Sequence, residues 1–210
     1  MPVVQTGSLN TTALVVPDLY VQVVPPQNLV LNGVPTNVVG VVGTANWGPV
    51  NQPSVVSSMA DYARTYGPIS DRRHDMGTQV ATAVQQGASA FRCVRVTDGT
   101  DTAASYALFY EADGYPVLLT ARYSGSLGSR VALGLTPGSA AGSWRLTLGL
   151  PGQAPEVFDN LAAPTPEAFW QNLVDAVNGG TGPMRGPSQL CVATLGTATH
   201  TPPSPLVGQT

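Results

Sequence analysis

A strand pattern, a turn-rich loop and a helix pattern follow one another between Pro35 and Gly67. Val38–Val42 is a β-branched run of strand length, and turn-forming glycines and prolines come after it. Ser58 stands three residues before Asp61, which is the spacing of a capping pair at a helix start, and a Gly-Pro pair ends the segment. We therefore expect Val38–Val42 to be a central strand, followed by a loop and a capped helix.

A second helix and a second strand complete this first region. In Asp75–Gln86 the aspartate can cap the first turn, apolar residues recur at helical spacing, and a glycine follows as a stop. Ala90–Val96 has strand character, with Phe91, Cys93 and Arg95 on one of its two faces. The order strand, helix, helix, strand predicts an α/β layer whose strands are partly parallel.

The composition changes at the polar linker Thr97–Thr102, and beyond it β patterns alternate with glycine-rich turns. These patterns predict a small antiparallel sheet. Thr165 and the proline after it predict a helix start, and apolar residues then recur every four positions from Phe169 to Val177 until a pair of glycines. The expected strands are Val117–Tyr123, Val131–Thr136, Trp144–Leu150, Glu156–Phe158 and Leu190–Leu195.

A short strand pattern near the N-terminus is set apart by prolines on both sides. A lone strand cannot satisfy its own backbone N–H and C=O groups, so it is expected to add to a sheet edge of the same subunit or of a neighbour. Residues 1–17 show no helical periodicity and are expected to lie loose until a partner binds them. The predicted inter-subunit strand consists of Leu19, Tyr20, Val21, Gln22, Val23 and Val24.

The loop after the first predicted strand carries an aromatic residue beside a Gly-Pro pair. We expect Trp47, Gly48 and Pro49 to contact another subunit rather than a ligand. A glycan-binding module that uses Trp47, Trp144 or Trp170 is an alternative hypothesis, although Trp170 also fits the core face of its helix.

The composition narrows the possible functions. Only 10% of the residues are charged, whereas about 25% are charged in an average soluble protein. Uncharged surfaces are typical of proteins that a partner covers, and also of hosts whose proteins are rich in alanine and valine. All nine basic residues are arginine and the net charge is −3, which excludes lysine chemistry and argues against a nucleic-acid partner.

The sequence contains no pattern for export or for membrane insertion. The N-terminus lacks the basic and apolar regions of a signal peptide. No apolar run approaches the ~20 residues that a membrane-spanning helix needs. We expect a soluble protein that is made in the cytoplasm.

No set of residues has the spacing of a catalytic, cofactor or metal site. His74 lies in a polar turn and His200 in a proline-rich tail, so both lack the rigid setting that a general base requires. A hydrolase that uses Ser58 or Ser70 with His74 is the alternative from a different functional class.

Neither the cysteines nor the acidic linker requires a catalytic or metal-binding role. Cys93 and Cys191 lie in apolar runs and are expected to be small buried hydrophobes, while the sequence does not decide whether they bond. Asp98, Gly99 and Asp101 resemble part of a calcium loop, but the remaining ligands are missing. A hydrophilic linker accounts for them, because aspartate and glycine are common turn residues.

Four segments follow one another in an order that one family shares: PDLYVQVVPP at 17–26, GVPTNVVGVVGTANWGPVNQPSVVSSMADYARTYGP at 33–68, DMGTQVATAVQQGASAFRCVRV at 75–96 and LTARYSGSLGSRVAL at 119–133. Together they resemble the N-terminal half of a contractile tail sheath protein of myophages and related contractile injection systems. The second segment is the most specific of the four, and residues 137–190 agree with the family only in general character.

The resemblance implies a structural subunit rather than an enzyme. It implies an extended N-terminal arm with its linking strand at 1–30, the first part of an inner α/β domain at 31–98, an inserted strand-rich α+β outer domain at 99–200 and an extended tail at 201–210. Sheath subunits stack as hexameric rings around a rigid tube, and an arm strand joins a neighbour's sheet. Contraction uses no nucleotide and drives the tube through a cell envelope.

The partners that the resemblance implies are further copies of the chain, the inner tail tube protein, and baseplate and tail terminator proteins, all within a virion tail assembled in the host cytoplasm. Another tail or baseplate component with an α/β core is the alternative within the structural class. Family members are longer, and a C-terminal half completes their inner domain. We therefore expect an open sheet edge and exposed apolar surface within residues 35–96 of this chain.

Overall fold

The computed structural model describes residues 3–6, 20–23, 38–109, 112–198 and 206–209, the short segments at 3–6, 20–23 and 206–209 by their backbone only. The chain divides into two units, Met1–Thr36 and Asn37–Thr210, which are considered separately. Within the described residues it combines three α-helices with small sheets and therefore has a mixed α+β fold.

The first unit contains two strands that pair in parallel. β1 is Val3–Thr6 and β2 is Tyr20–Val23, with Val3 opposite Tyr20. The strand predicted at 19–24 is confirmed over Tyr20–Val23, and its first and last residues lie outside the described part of the chain. The expectation that residues 1–17 lie loose is wrong for Val3–Thr6, because this part of a polar, β-leaning segment pairs with β2 of the same chain. A two-stranded sheet is marginal by itself, since each strand has one unpaired edge among the described strands.

The second unit contains the remaining elements. Its strands are β3 Val39–Gly43, β4 Pro53–Val56, β5 Phe91–Arg95, β6 Ser105–Leu108, β7 Val117–Ala121, β8 Ala132–Pro137, β9 Trp144–Gly149, β10 Glu156–Leu161, β11 Cys191–Leu195 and β12 Leu206–Gln209. Its helices are α1 Met59–Tyr66, α2 Met76–Gln85 and α3 Pro166–Gly179, and a 3-10 turn lies at Gly128–Arg130.

The first sheet of this unit has the order β3-β5-β4. β3 runs parallel to β5, as the strand–helix–helix–strand pattern predicts, and β4 runs antiparallel to β5. The expectation that Val38–Val42 forms a central strand is wrong for the described strands, among which β5 is central and β3 lies at an edge. The physical reason is that the short segment after the loop pairs as β4 with the far side of β5.

Both predicted helix starts are capped as their sequences indicate. The Ser58 hydroxyl accepts a hydrogen bond from the N–H of Asp61 at 3.2 Å, and the Asp75 carboxylate accepts one from the N–H of Thr78 at 2.8 Å. The Asp61 carboxylate accepts from the N–H of Ser57, one residue before the cap. These bonds satisfy N–H groups that the first helical turn leaves without partners.

A first hydrophobic core lies between this sheet and the two helices. Phe91 and Cys93 of β5 are fully buried against the helices, together with Met76 and Val80 of α2. The buried Tyr66 hydroxyl donates a 2.8 Å hydrogen bond to the backbone carbonyl of Cys93, which ties α1 to the central strand. This arrangement covers one face of the sheet.

The β-rich region forms two sheets rather than the one small antiparallel sheet that was expected. One has the order β11-β7-β6 and the other the order β10-β9-β8-β12. The prediction missed β6 and β12, which are four residues long and provide too short a pattern to distinguish from a loop. β7 therefore pairs with β6 and β11, whereas β8 pairs with β9 and β12.

A second hydrophobic core lies against α3. Thr165 caps this helix and Pro166 occupies its first turn, as predicted. Phe169, Leu173 and Val177, which are four positions apart, are all buried in this core. The second core also includes Trp47, which precedes the 97–102 linker. The boundary at this linker and the division into an inner and an inserted outer domain stay predictions.

Removal of the α3 cap is expected to destabilise the second core. Thr165→Ala loses the hydroxyl that accepts from the N–H of Ala168 at 3.3 Å, which should lower the free energy of unfolding by about 1 kcal/mol. Urea unfolding measures this change. Thr181→Ala, in an exposed turn after the same helix, is the control and should change the free energy by less than about 0.5 kcal/mol. Equal effects of the two substitutions would contradict the capping role.

Candidate assembly site

The face of the first sheet that α1 and α2 do not cover is apolar and open to solvent. Side chains alternate along a strand, so Val42, Val94 and Val55 fall on this face while Val41 and Cys93 fall on the helix-covered face. The side chains of Val42 and Val55 are 60% and 59% exposed. We call this surface the valine face. Its exposure matches the expected open apolar surface within residues 35–96.

An arginine stands in the middle of the valine face. Arg92 is exposed on the central strand β5, opposite Gly40 of β3 and Val55 of β4. None of the described carboxylates forms an ion pair with it. The valine face therefore combines a small apolar surface with one cationic group.

A second arginine of the same strand is buried at the junction of the two cores. The side chain of Arg95 is 2% exposed and donates to the backbone carbonyls of Gly48 at 2.8 Å and Ser124 at 2.9 Å. It also forms a 2.9 Å ion pair with Asp101. One guanidinium thus links the loop after β3, the polar linker and the loop after β7.

The electrostatics of this junction keep both partners charged. Burial lowers the pKa of Arg95, and the nearby carboxylate of Asp101 opposes that effect. The pKa of Asp101 is lowered chiefly by the hydrogen bond from the Ser124 hydroxyl, with the charge of Arg95 acting in the same direction. The Nε of Arg95 is buried without a hydrogen-bond partner among the described residues. The junction therefore combines an ion pair and hydrogen bonds with one buried N–H group, the Nε of Arg95, that has no described partner.

Trp47 directly precedes Gly48, whose carbonyl accepts a hydrogen bond from Arg95. Its ring is 3% exposed, joins the second core and makes an edge-on contact with Tyr123 at 5.4 Å between ring centroids. The neighbouring Asn46 accepts hydrogen bonds from the N–H of Leu127 at 3.3 Å and the hydroxyl of Ser126 at 3.2 Å. Because Ala45 of the same loop belongs to the first core, the loop after β3 contacts both cores.

The predicted inter-subunit loop is used within the chain. Trp47 and Gly48 are buried against residues of the same subunit, and Pro49 is half-buried. The sequence signal, an aromatic beside a Gly-Pro pair, did not distinguish a contact within the chain from one between chains. A contact of this loop with another subunit stays a prediction, and so does the inter-subunit role of the strand at 19–24.

The serine–histidine pairs of the hydrolase alternative do not form in this structure. The Ser58 hydroxyl caps α1, and the Ser70 hydroxyl is hydrogen-bonded to the Asn46 side-chain amide. His74 is exposed in a turn, and its backbone carbonyl accepts from the N–H of Thr44 at 2.9 Å. Neither serine is hydrogen-bonded to the His74 imidazole, so no activated nucleophile is assembled there.

The tryptophans of the glycan-binding alternative do not form an exposed platform. Trp170 is 1% exposed in the second core, as its helical position indicates. Trp144 is half-buried and packs near Phe169, with 6.5 Å between ring centroids. Together with the buried Trp47, these rings stabilise the chain itself.

The described residues were not found to form a metal-binding cluster or a membrane-spanning helix. Across the described ranges, no group of three or more histidine, cysteine, aspartate or glutamate side chains is placed to hold a metal ion. None of the helices in the described part of the chain is long and apolar enough to cross a membrane. The structural features that bear on function are the buried Arg95, the buried Trp47 and the exposed valine face.

The fold is similar to that of a sheath tail protein from Desulfitobacterium hafniense. The two share 10% sequence identity with a TM-score of 0.50, over 82% of this chain and 34% of that protein. A sheath tail protein from Listeria innocua, Lin1278, aligns over 82% of this chain and 35% of its own length, with 13% identity and a TM-score of 0.45. The chain thus spans about a third of the length of these proteins. No protein-family profile and no curated protein sequence matches it.

Substitution of the buried Arg95 is expected to destabilise the junction between the two cores. Arg95→Ala leaves buried carbonyls and the Asp101 carboxylate without their donor, which should lower the free energy of unfolding by about 3 kcal/mol. Arg92→Ala, three residues earlier on the same strand but exposed, should change it by less than about 0.5 kcal/mol. Chemical unfolding compares the two. Similar values would contradict the proposed importance of the junction.

The two thiols are expected to be unreactive in the folded protein. Burial raises the pKa of Cys93 to about 11 and that of Cys191 to about 12, and the thiols lie in different cores. Because the thiolate is the reactive form, Ellman's reagent at pH 8 should label both sites slowly before unfolding and rapidly afterwards. Fast labelling of the native protein, or a disulfide in the oxidised protein, would contradict the burial.

Proposed function

We propose that the chain is a structural subunit of a contractile tail sheath. In this proposal its copies polymerise as stacked hexameric rings around an inner tube, and contraction of the sheath drives the tube through the envelope of the target cell. No catalytic step is required, because the subunits move from a strained extended packing to a more stable contracted one. The assembled sheath belongs to a virion tail that forms in the host cytoplasm.

The observation that carries this proposal is the fold, which is shared with the Desulfitobacterium hafniense sheath tail protein over 82% of the chain. At this identity the likeness concerns the fold alone, so the assembly and its motion are part of the proposal. The four ordered sequence segments support the same family independently of the fold.

The exposed surface supports polymerisation. An apolar sheet face is normally buried against another layer, and the valine face is covered by none of the described residues. Exposed apolar surface of this kind is typical of protein–protein contacts. We propose that further polypeptide, from a neighbouring subunit or from the remainder of a full-length sheath protein, covers this face in the assembled tail.

The N-terminal strand supplies the proposed link between subunits. β2 pairs only with β1 among the described strands, so its other edge has backbone groups that need partners. In the proposed sheath this strand adds to the sheet of a neighbouring subunit. The tube protein, the baseplate and the tail terminator are the other proposed partners.

Electron microscopy of the purified chain tests the proposal. Negative staining is expected to show long tubes or stacked rings, whereas another tail or baseplate component would give other discrete particles. A stable, monodisperse monomer in sedimentation velocity experiments would contradict the sheath assignment.

Deletion of residues 1–24 tests the role of the arm. The shortened chain should retain the circular dichroism and unfolding transition of the second unit, because both hydrophobic cores lie within 37–210. It should form no polymers. Polymers that persist after the deletion would show that the arm assignment is wrong.

A further inference from the structure

We propose that the loop between α3 and β11 is a contact between copies of the chain, in which Met184 of one copy enters an apolar cavity of a second copy. This inference rests on the proposed function and adds one contact to it, with the residue that makes the contact and the surface that receives it. Three observations support it: an exposed side chain, the polar network that holds its loop, and an uncharged cavity between the two β-rich sheets.

Met184 has the most exposed large apolar side chain in the described part of the chain. It is 97% exposed, whereas the next in order, Val42, is 60% exposed. Single exposed apolar residues are common on protein surfaces, so exposure alone does not indicate a contact. The conformation of the surrounding loop is therefore the second observation that the proposal needs.

The loop around Met184 is a tight turn that backbone hydrogen bonds close. The N–H of Thr181 donates to the carbonyl of Arg185 at 3.0 Å, and the N–H of Arg185 donates to the carbonyl of Gly182 at 3.1 Å. After the turn, the N–H of Ser188 donates to the carbonyl of Val177 at 2.8 Å, which ties the end of the loop to α3. Met184 therefore lies at the tip of a turn whose two sides are bonded together.

A largely buried polar network fixes the base of this turn. The Arg185 guanidinium pairs with the Glu156 carboxylate at 3.1 Å and lies over the Phe158 ring, 4.5 Å from its centroid. Glu156 is buried, and its carboxylate also accepts hydrogen bonds from the Ser188 hydroxyl and from the N–H of Gln189. A buried network of this kind holds its members in one geometry. It also neutralises Arg185, the only charged residue between positions 180 and 187.

A fixed loop with an apolar tip is suited to binding another protein. A loop that is already ordered loses less conformational freedom on association than a flexible one. Methionine is enriched at protein–protein interfaces, and its unbranched side chain adapts to an irregular apolar cavity. Met184 belongs to neither hydrophobic core of the described chain, so packing within the chain does not explain its position.

The cavity that we propose as the acceptor lies between the two β-rich sheets and has a volume of about 330 Å³. Its apolar wall includes Leu119, Leu133 and Leu148, one from each of three strands. Ser105 and Ser129, which are exposed, lie at its opening to solvent. None of its lining residues carries a charge, so an apolar side chain can enter it without removing water from a charged group.

Other cavities are less suitable for an apolar tip. Two larger clefts beside α1 are both lined in part by Arg64, and a groove along α3 is lined in part by Glu167. A smaller cavity of about 200 Å³ at the start of α3 is uncharged and includes Trp144 and Phe169. It is the competing acceptor that an experiment has to exclude.

A second copy is the partner that the tip and the cavity indicate together. Met184 does not enter the cavity of its own chain, since it is 97% exposed, and each copy therefore carries a free tip and a free cavity. A contact between two different surfaces of identical copies repeats from copy to copy and generates rings or helical assemblies. The proposed sheath has this symmetry, whereas two Met184 loops in contact with each other would form only a dimer.

Substitutions at the tip test the contact in the full-length chain. Met184→Glu would place a charge in the apolar cavity, so the sedimenting fraction should fall about tenfold or more. The apolar Met184→Leu should stay within about twofold of the unmodified chain. Ala141→Glu, in the exposed turn between β8 and β9, is the control and should assemble normally. Since Met184 packs in neither core, Met184→Glu should not change the urea midpoint of the unassembled chain.

A substitution at the opening of the cavity tests the acceptor. Ser129→Trp fills the opening from outside the core and should reduce the sedimenting fraction as strongly as Met184→Glu, while Ala141→Trp controls for the added bulk. Circular dichroism checks folding. Normal assembly of Ser129→Trp would overturn this cavity as the acceptor, and normal assembly of Met184→Glu would overturn the contact itself.

Photo-cross-linking keeps the inference testable if Ser129→Trp does not fold. The unmodified sequence is produced with photo-methionine, a diazirine analogue of similar size, and is mixed with copies labelled with heavy isotopes before irradiation. We expect cross-links from position 184 to residues 104–106 or 128–133 of a heavy copy. Cross-links to other regions alone would overturn the cavity, and none between copies would overturn the contact.

The same experiments separate this contact from the proposed function. If the unmodified chain forms no polymers, the sheath proposal fails, and the cross-link between copies still decides whether the contact exists. If polymers form and Met184→Glu assembles like the unmodified chain, the contact fails while the sheath proposal stands.

Discussion

The buried guanidinium of Arg95 is the contact on which the second unit depends. Its three hydrogen-bonded partners belong to three different connecting segments, none of which has regular secondary structure. Without a shared donor, the carbonyls of Gly48 and Ser124 would be buried at the junction without a partner, at a cost of about 1–3 kcal/mol each. The two hydrophobic cores are therefore joined by polar bonds around one side chain, while Trp47 of the loop after β3 packs in the second core.

The junction leaves part of the first sheet without a covering layer among the described residues. Helices cover one face, and the loop after β3 and the segment before α2 close one end. None of the described residues covers the opposite face, and no described strand pairs with the outer edge of β3. Both open features are apolar or uncharged apart from Arg92. A sheet of this kind is suited to a protein whose surfaces become buried when copies assemble, and it would be a liability in a protein that stays monomeric.

The sequence predicted the local elements well, because helix caps and periodic apolar residues act over a few positions. Ser58, Asp75 and Thr165 cap the helices that their patterns indicate. The sequence could not place β3 at an edge, since strand order depends on which segments pair across the fold. It placed Arg95 on the same strand face as Phe91 and Cys93, but its partners lie in distant loops that no local spacing connects. The burial of Trp47 was missed for the same reason.

The parallel pairing of β3 with β5 also has a consequence for synthesis of the chain. Val39 lies opposite Phe91, which is made 52 residues later. At about 5–20 residues per second, translation leaves β3 without its neighbour β5 for roughly 3 to 10 seconds. During this interval both of its edges and both of its faces lack their final partners. The order of synthesis therefore favours formation of α1 and α2 before the central strand β5 can pair. Newly made copies are prone to associate before each has folded.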